Sequence, residues 1–177
     1  MTVPGEKSQY LSEVLNERLD GLYAYAMVLS HDRSEAQDLV QETCLRAIQA
    51  IERLRPESNV KSWLFTILRN IWLNQLRQRR TAPRIVELDA DDGIAELAVE
   101  RSKDPHALYV SNEEREQVRE AIRQLSPEFR EIIVLREYAE LSYQELASVL
   151  GCPTGTVMSR LGRARCKLQS LLSGSLR

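Results

Sequence analysis

With 177 residues the chain holds one medium domain or two small ones, and a net charge of −2 gives it no overall attraction to nucleic acid. No apolar run approaches the length of a membrane span and no signal-peptide pattern opens the chain, which points to a soluble cytoplasmic protein. Cys44, Cys152 and Cys166 form no CxxC pair, and His31 and His106 lack ligand-type neighbours at useful spacing, so neither a metal nor another cofactor is expected. The odd, sparse cysteine set suits a reducing compartment.

Seven glycines, six prolines and few strand-like alternations predict an all-α chain. Leu11, Val14, Leu15, Leu19, Leu22, Tyr23 and Ala26 recur at helical spacing and predict a first helix over 8–29, with these residues facing inward. Ser34 and Gln37 form a capping box for a second helix over 35–54, whose core side carries Leu39, Leu45, Ile48 and Ile51. Its other side carries Glu35, Asp38, Gln41 and Glu42, interrupted by Arg46. Such a face is either simply solvated or docks a basic protein partner.

A turn at 55–59 leads to a third helix over 60–79. From Ser58 to Val86 there is no acidic residue against six basic ones, Lys61, Arg69, Arg77, Arg79, Arg80 and Arg84. Trp63, Phe65 and Trp72 lie within this basic stretch beside Asn70 and Asn74. Aromatics among cations and amides suit single-stranded nucleic acid, because bases stack or enter pockets while cations hold the backbone. The plainer alternative makes Trp63 core and Trp72 half-buried, with the arginines as a solvated helix end.

Residues 81–110 change texture. Pro83, Gly93 and Pro105 interrupt them, Asp89, Asp91 and Asp92 make them acidic, and only Ile94, Leu97 and Ala98 suggest a short helix. A flexible acidic linker is the expectation, longer than ordinary connections in a compact domain. Ser111 and Glu114 then cap a helix reaching Leu125, and Ser126-Pro127-Glu128 starts another that buries Phe129, Ile132, Ile133 and Leu135.

The last third reads as a helix-turn-helix. Ser142 and Glu145 form a capping box, Leu146, Ala147 and Leu150 give the short helix its buried side, and Gly151 supplies a left-handed stop. Pro153 sits where a first helical turn tolerates it, and a second helix runs to about residue 172. Val157, Leu161, Ala164, Leu168 and Leu171 form its core stripe, and Thr156, Ser159, Arg160, Arg163 and Lys167 share a neighbouring solvent arc. After Glu145 there is no acidic residue against five basic ones, which fits a major groove and its phosphates better than an ordinary solvated helix.

SEAQDLVQETCLRAIQAI, followed by SWLFTILRNIWLNQLRQRR, resembles domain 2 of the bacterial extracytoplasmic-function (ECF) sigma factors. LSPEFREIIVLREYAELSYQELASVLGCPTGTVMSRLGRARCKL resembles their domain 4. The resemblance implies two small helical domains, over 1–80 and 111–177, and a dissociable subunit that directs core RNA polymerase to promoters and helps open them. It implies that Asp38, Leu39, Gln41, Glu42 and Arg46 bind the coiled coil of the polymerase's largest subunit. The loop holding Leu54, Asn59 and Lys61 would receive a base flipped from the −10 element, and Asn70, Asn74 and Arg77 would contact that strand. The linker would thread toward the RNA exit path. Domain 4 would sit on the polymerase flap and read the −35 element with Pro153, Thr154, Thr156, Met158, Ser159, Arg160, Arg163 and Lys167.

Met158 departs from the family pattern, where a basic side chain is frequent, and so does Gly162, where a larger one often stands. Fewer side-chain base contacts are therefore expected, with more shape readout. An anti-sigma factor is an expected partner. No nucleophile–base pair or phosphate loop appears, so an enzyme in its own right is not expected. The rival readings are a sigma mimic that sequesters an anti-sigma factor and a simple helix-turn-helix regulator; the second leaves the aromatic-basic helix unexplained.

Overall fold

The computed structural model describes residues 4–55, 57–81 and 115–175. Among them are seven α-helices and one 3-10 turn, with no strand. The helices are α1 (Pro4–Ser30), α2 (Arg33–Ala50), α3 (Val60–Thr81), α4 (115–123), α5 (Pro127–Glu137), α6 (Tyr143–Leu150) and α7 (Thr154–Ser175). Apart from Thr81 the expected linker lies outside the described residues, as does the expected Ser111–Glu114 cap.

Helix α1 ends at His31, which takes the left-handed conformation (φ 58°) and returns its N–H to the Met27 carbonyl. The next residue, Asp32, caps α2, its carboxylate accepting from the Glu35 N–H at 2.7 Å. The expected Ser34–Gln37 box is therefore two residues out of place. Asp32 has extended backbone geometry, while Ser34 is already inside the helix. The second helix also stops earlier than expected, tightening into a 3-10 turn over Ile51–Arg53. Asn59 caps α3 by accepting from the Ser62 N–H at 3.0 Å, and Arg79 and Arg80 occupy its last turn, where cations suit the helix dipole.

Leu11, Leu22, Tyr25, Leu39, Leu64, Phe65 and Leu68 fill the core of α1, α2 and α3. Three residues expected there are outside: Leu19, Leu45 and Ile48 are 46%, 55% and 57% exposed. At 100° per residue Leu39, Thr43, Ala47 and Ile51 already complete the inward stripe of α2. The threonine joins them because its hydroxyl donates back to the Leu39 carbonyl at 2.6 Å. Trp72, not Trp63, is the more deeply buried tryptophan; Trp63 only packs against the core margin.

The second unit is the expected helix-turn-helix on a supporting helix. Pro127 opens α5, which buries Ile132, Ile133, Val134 and Leu135 and leaves Phe129 partly covered. In α6 both halves of the Ser142–Glu145 capping box are present, and Gly151 ends it at φ 64°, ψ 37°. Pro153 stands one residue before α7 and its carbonyl accepts from Thr156 and Val157. Val157, Leu161 and Ala164 are buried, with Leu168 and Leu171 packed against the same core.

In the described structure the two units pack against each other. α1 lies on α5, α3 lies on α6, and one continuous apolar cluster runs from Leu11 to Ala164. Gly21, in the middle of α1, permits the close approach: a Cβ there would meet the Ala139 Cα at 3.2 Å. Glycine inside a helix costs about 1 kcal/mol relative to alanine, so its presence here follows the packing rather than the helix.

Candidate nucleic-acid interface

Three exposed faces carry the residues singled out by sequence. On α2, Asp38, Gln41 and Arg46 are exposed and Glu42 is half-buried, its carboxylate accepting from Arg46 Nε at 2.6 Å. Leu39 is fully buried beneath them, so it supports the face and cannot meet a partner there. Leu45 takes its place at the surface, between Asp38, Gln41 and Glu42 on the helical wheel, and Ile48 extends the apolar strip. These two residues carried a core signal in sequence, an apolar period; only the burial of Thr43 reveals that the stripe is rotated.

A shallow groove of about 430 Å³ separates this face from α3, lined by Asp38, Glu42, Leu45 and Arg46 on one bank and Ile71 and Asn74 on the other. Asn70, Asn74 and Arg77 are all exposed on α3, with Arg77 donating to the Asn74 side-chain oxygen at 3.1 Å. Arg79 closes the end, paired with Glu35 at 2.7 Å and stacked over the Trp72 ring at 5.4 Å. Arg69, counted among the basic residues of α3, faces the other way. Its Nε donates to Glu131 of α5 at 2.9 Å, and the buried Tyr25 hydroxyl donates to the same carboxylate oxygen at 2.7 Å. Burial alone would depress the Arg69 pKa, but the Glu131 charge and the Tyr25 contact outweigh it and raise it.

The loop before α3 is occupied from within the chain. Lys7 Nζ holds the Glu52 and Leu54 carbonyls, both at 3.1 Å. Asn59 uses its oxygen to cap α3 and donates its amide to Glu145 at 2.9 Å. Lys61 Nζ donates to the Glu140 carbonyl at 2.6 Å and stands 3.7 Å from the Glu145 carboxylate. Leu54, Asn59 and Trp63 thus line one wall of a crevice of about 490 Å³ whose other wall is Ser142, Gln144, Glu145 and Ser148. Burial pushes the Glu145 pKa up, but the Ser142 N–H and hydroxyl, the Lys61 charge and the Asn59 amide together bring it below its ordinary value.

The third face is the start of α7. Pro153, Thr154, Met158, Ser159, Arg163 and Lys167 are exposed, Thr156 is half-buried, and Arg160 lies 3.8 Å from the Glu128 carboxylate. A Cβ at Gly155 or Gly162 would meet nothing within 4 Å, so this surface is open. Among the described residues no cluster of His, Cys, Asp or Glu is suited to hold a metal ion, and no helix is long and apolar enough to cross a membrane.

Two family descriptions match the chain in tandem: Sigma-70 region 2 over residues 15–82 and Sigma-70 region 4 over residues 115–168. The ECF RNA polymerase sigma factor EcfG of Rhodopseudomonas palustris is 41% identical over 151 residues, covering 85% of this chain and 78% of that protein. The RNA polymerase sigma-H factor of Pseudomonas aeruginosa is 34% identical over 150 residues, covering 83% and 78%. Among solved structures, the sigma factor RpoE bound to the anti-sigma factor NepR from Bartonella quintana aligns over 94% of this chain and 96% of that one. The identity there is 31% and the TM-score 0.66.

Proposed function

The chain belongs to the ECF RNA polymerase sigma factors, and from that membership we propose how its exposed faces divide the work. A sigma factor binds core RNA polymerase, directs it to promoter DNA and promotes initiation; phosphodiester chemistry belongs to the polymerase. In this reading residues 1–80 bind the polymerase and the −10 element, 81–110 connect, and 111–177 read the −35 element. Its workplace is the cytoplasm, with the polymerase.

The polymerase face is Asp38, Gln41, Glu42 and Arg46 around Leu45 and Ile48, with Leu39 underneath. The observation that carries this assignment is an exposed apolar strip ringed by polar and acidic side chains, the composition of a docking surface with a dry centre and a wet rim. The coiled coil of the largest subunit is the partner it would receive. Leu54, Asn59 and Lys61 would take a flipped −10 base, and Asn70, Asn74 and Arg77 would hold its strand. The start of α7, from Pro153 to Lys167, would enter the −35 major groove while its supporting unit sits on the flap. With Met158 and Gly162 on that face, Arg160 and Arg163 carry most of the side-chain charge, and groove shape carries part of the specificity.

An anti-sigma factor is the further partner we infer, because the Bartonella quintana sigma factor is held by one. The test of the whole reading is transcription in vitro with purified core polymerase and a randomised promoter library. Start sites that require the chain and share two spaced motifs are the expected result. Silence, with the same polymerase active on another sigma factor, would overturn it in favour of a mimic or a conventional regulator.

A further inference from the structure

We propose that Met158 reads a thymine of the −35 duplex through apolar contact with the 5-methyl group of the base. The inference rests on the assignment of the start of α7 to the −35 major groove. Among the described residues of α7, Met158 is the one large hydrophobic that stands exposed, at 56%. Its thioether carries no charge for a phosphate and only a weak acceptor for a base edge. The apolar group that base edges present in a major groove is the thymine methyl, so the chemistry of the side chain names its partner.

The helix places Met158 within reach of the base pairs. Val157, Leu161 and Ala164 are buried and mark the side of α7 that faces the core. At about 100° per residue, Met158 and Arg163 stand on opposite shoulders of the exposed side, about 140° apart. The direction midway between them points away from the core. A helix entering the groove along it offers a guanidinium on one flank and a methionine on the other. Gly155 and Gly162, three residues before and four after Met158, are its neighbours on the helix surface. A Cβ at either would meet nothing within 4 Å. Neither glycine covers the methionine or holds the helix off the bases, and the unbranched, flexible side chain can settle over a methyl group.

This contact differs in kind from those proposed for Arg160 and Arg163. Cations on phosphates release counterions, so what they add falls as salt rises. Burying a methyl group against a thioether releases none, and its contribution follows the apolar area removed from water. With methionine where a basic side chain is frequent in the family, the chain gives up salt-dependent affinity. It gains discrimination between thymine and the other bases at one position.

The test uses holoenzyme assembled from core polymerase and the full chain, as the parent, Met158→Ala or Met158→Lys. Because Met158 is exposed, neither substitution removes packing from the core. The probes are promoter duplexes recovered with the parent, in which each thymine of the upstream motif, on either strand, is replaced singly by deoxyuridine. Deoxyuridine pairs as thymidine does and lacks only the 5-methyl group. The parent should lose about fourfold in affinity at one replaced thymine, the value of one buried methyl group. Met158→Ala should bind the unmodified promoter more weakly, ignore the replacement and keep the parent's salt slope. Met158→Lys should ignore the replacement too, with a steeper salt slope. A replacement that weakens Met158→Ala as much as the parent would give the methyl contact to another side chain and overturn the proposal. So would an upstream motif without an A·T pair, or a parent indifferent to every replacement. In that last case, weaker promoter binding by Arg163→Ala would leave the −35 assignment of α7 standing, and unchanged binding would remove it as well.

Discussion

Tyr25 and Glu131, one from each unit and 106 residues apart, meet hydroxyl to carboxylate at 2.7 Å, with Arg69 Nε on the same oxygen. Tyr25 is fully buried, so its hydroxyl has no water to turn to. Tyr25→Phe leaves the Arg69 ion pair intact and removes one hydrogen bond to a charged acceptor. It should cost about 2 kcal/mol, or about 5 °C in melting temperature for a chain of this length. Glu131→Ala strands both partners and should cost more, about 3 kcal/mol, because Arg69 is only a quarter exposed. Melts of Tyr25→Phe that superimpose on the parent would deny the contact any part in stability. Burial, then the Glu131 charge, hold the Tyr25 pKa well above 10.0. A raised folded pKa gives a contribution present in full below 10.0 and lost as the pH climbs through the folded value.

Glu145 titrates with the opposite sign. Its pKa is held below the ordinary 4.5 because the contacts to Ser142, Lys61 and Asn59 outweigh burial. A depressed pKa gives stability that is complete above 4.5 and disappears as the pH falls through the folded value. The melting temperatures of the parent and Glu145→Gln should therefore differ most near neutrality and converge in acid. A gap that stays constant from about pH 7 to about pH 3 would show that the carboxylate charge is irrelevant.

Local chemistry was legible in the sequence and long-range packing was not. The Ser142–Glu145 box, the Gly151 stop and the α7 stripe follow from residue types a few positions apart, and each is present in the structure. Where two local signals compete the reading slips. Asp32 and Ser34 both suit an N-cap, and the choice depends on where the chain leaves His31, itself in a left-handed turn. On α2 the apolar period runs through Leu45 and Ile48, but a threonine completes the core stripe and hydropathy alone does not announce it. The partnership of Tyr25, Arg69 and Glu131 leaves no trace in any window of sequence, because nothing local distinguishes an arginine that pairs across an interface from one that faces solvent.

Gly162 lies inside α7, and a Cβ there would touch nothing within 4 Å. Alanine should therefore restore helix propensity without strain, adding about 1 kcal/mol and about 3 °C to the melting temperature. A drop in stability would mean that the helix needs the backbone freedom of glycine at this position.

Leu45 offers the cleanest separation of partner binding from folding. Because it is 55% exposed, Leu45→Ala should leave the melting temperature within about 2 °C of the parent. At the centre of the proposed polymerase face the same truncation should weaken core binding about fivefold, and charge reversal of Asp38 with Glu42 should weaken it further. Reversing Glu42 also places a cation beside Arg46, whose Nε now lies 2.6 Å from that carboxylate. Unchanged retention of these variants by immobilised core polymerase would move the interface off α2.

Arg160 and Arg163 test the other end of the molecule. Neither is tied down by a strong partner: Arg160 is 3.8 Å from Glu128, and Arg163 reaches only the Ser159 carbonyl of its own helix at 3.4 Å. If both meet phosphates or base edges of the −35 duplex, replacing them with alanine removes up to two released counterions. The slope of log affinity against log salt should then fall by about 1.8. Transcription from promoters recovered with the parent should drop, while core polymerase binding, which we propose uses α2, should not. The two effects belong together because charge on α7 can act only where the duplex is close. A lost transcript with an unchanged salt slope would mean that the arginines act through the supporting unit rather than on DNA.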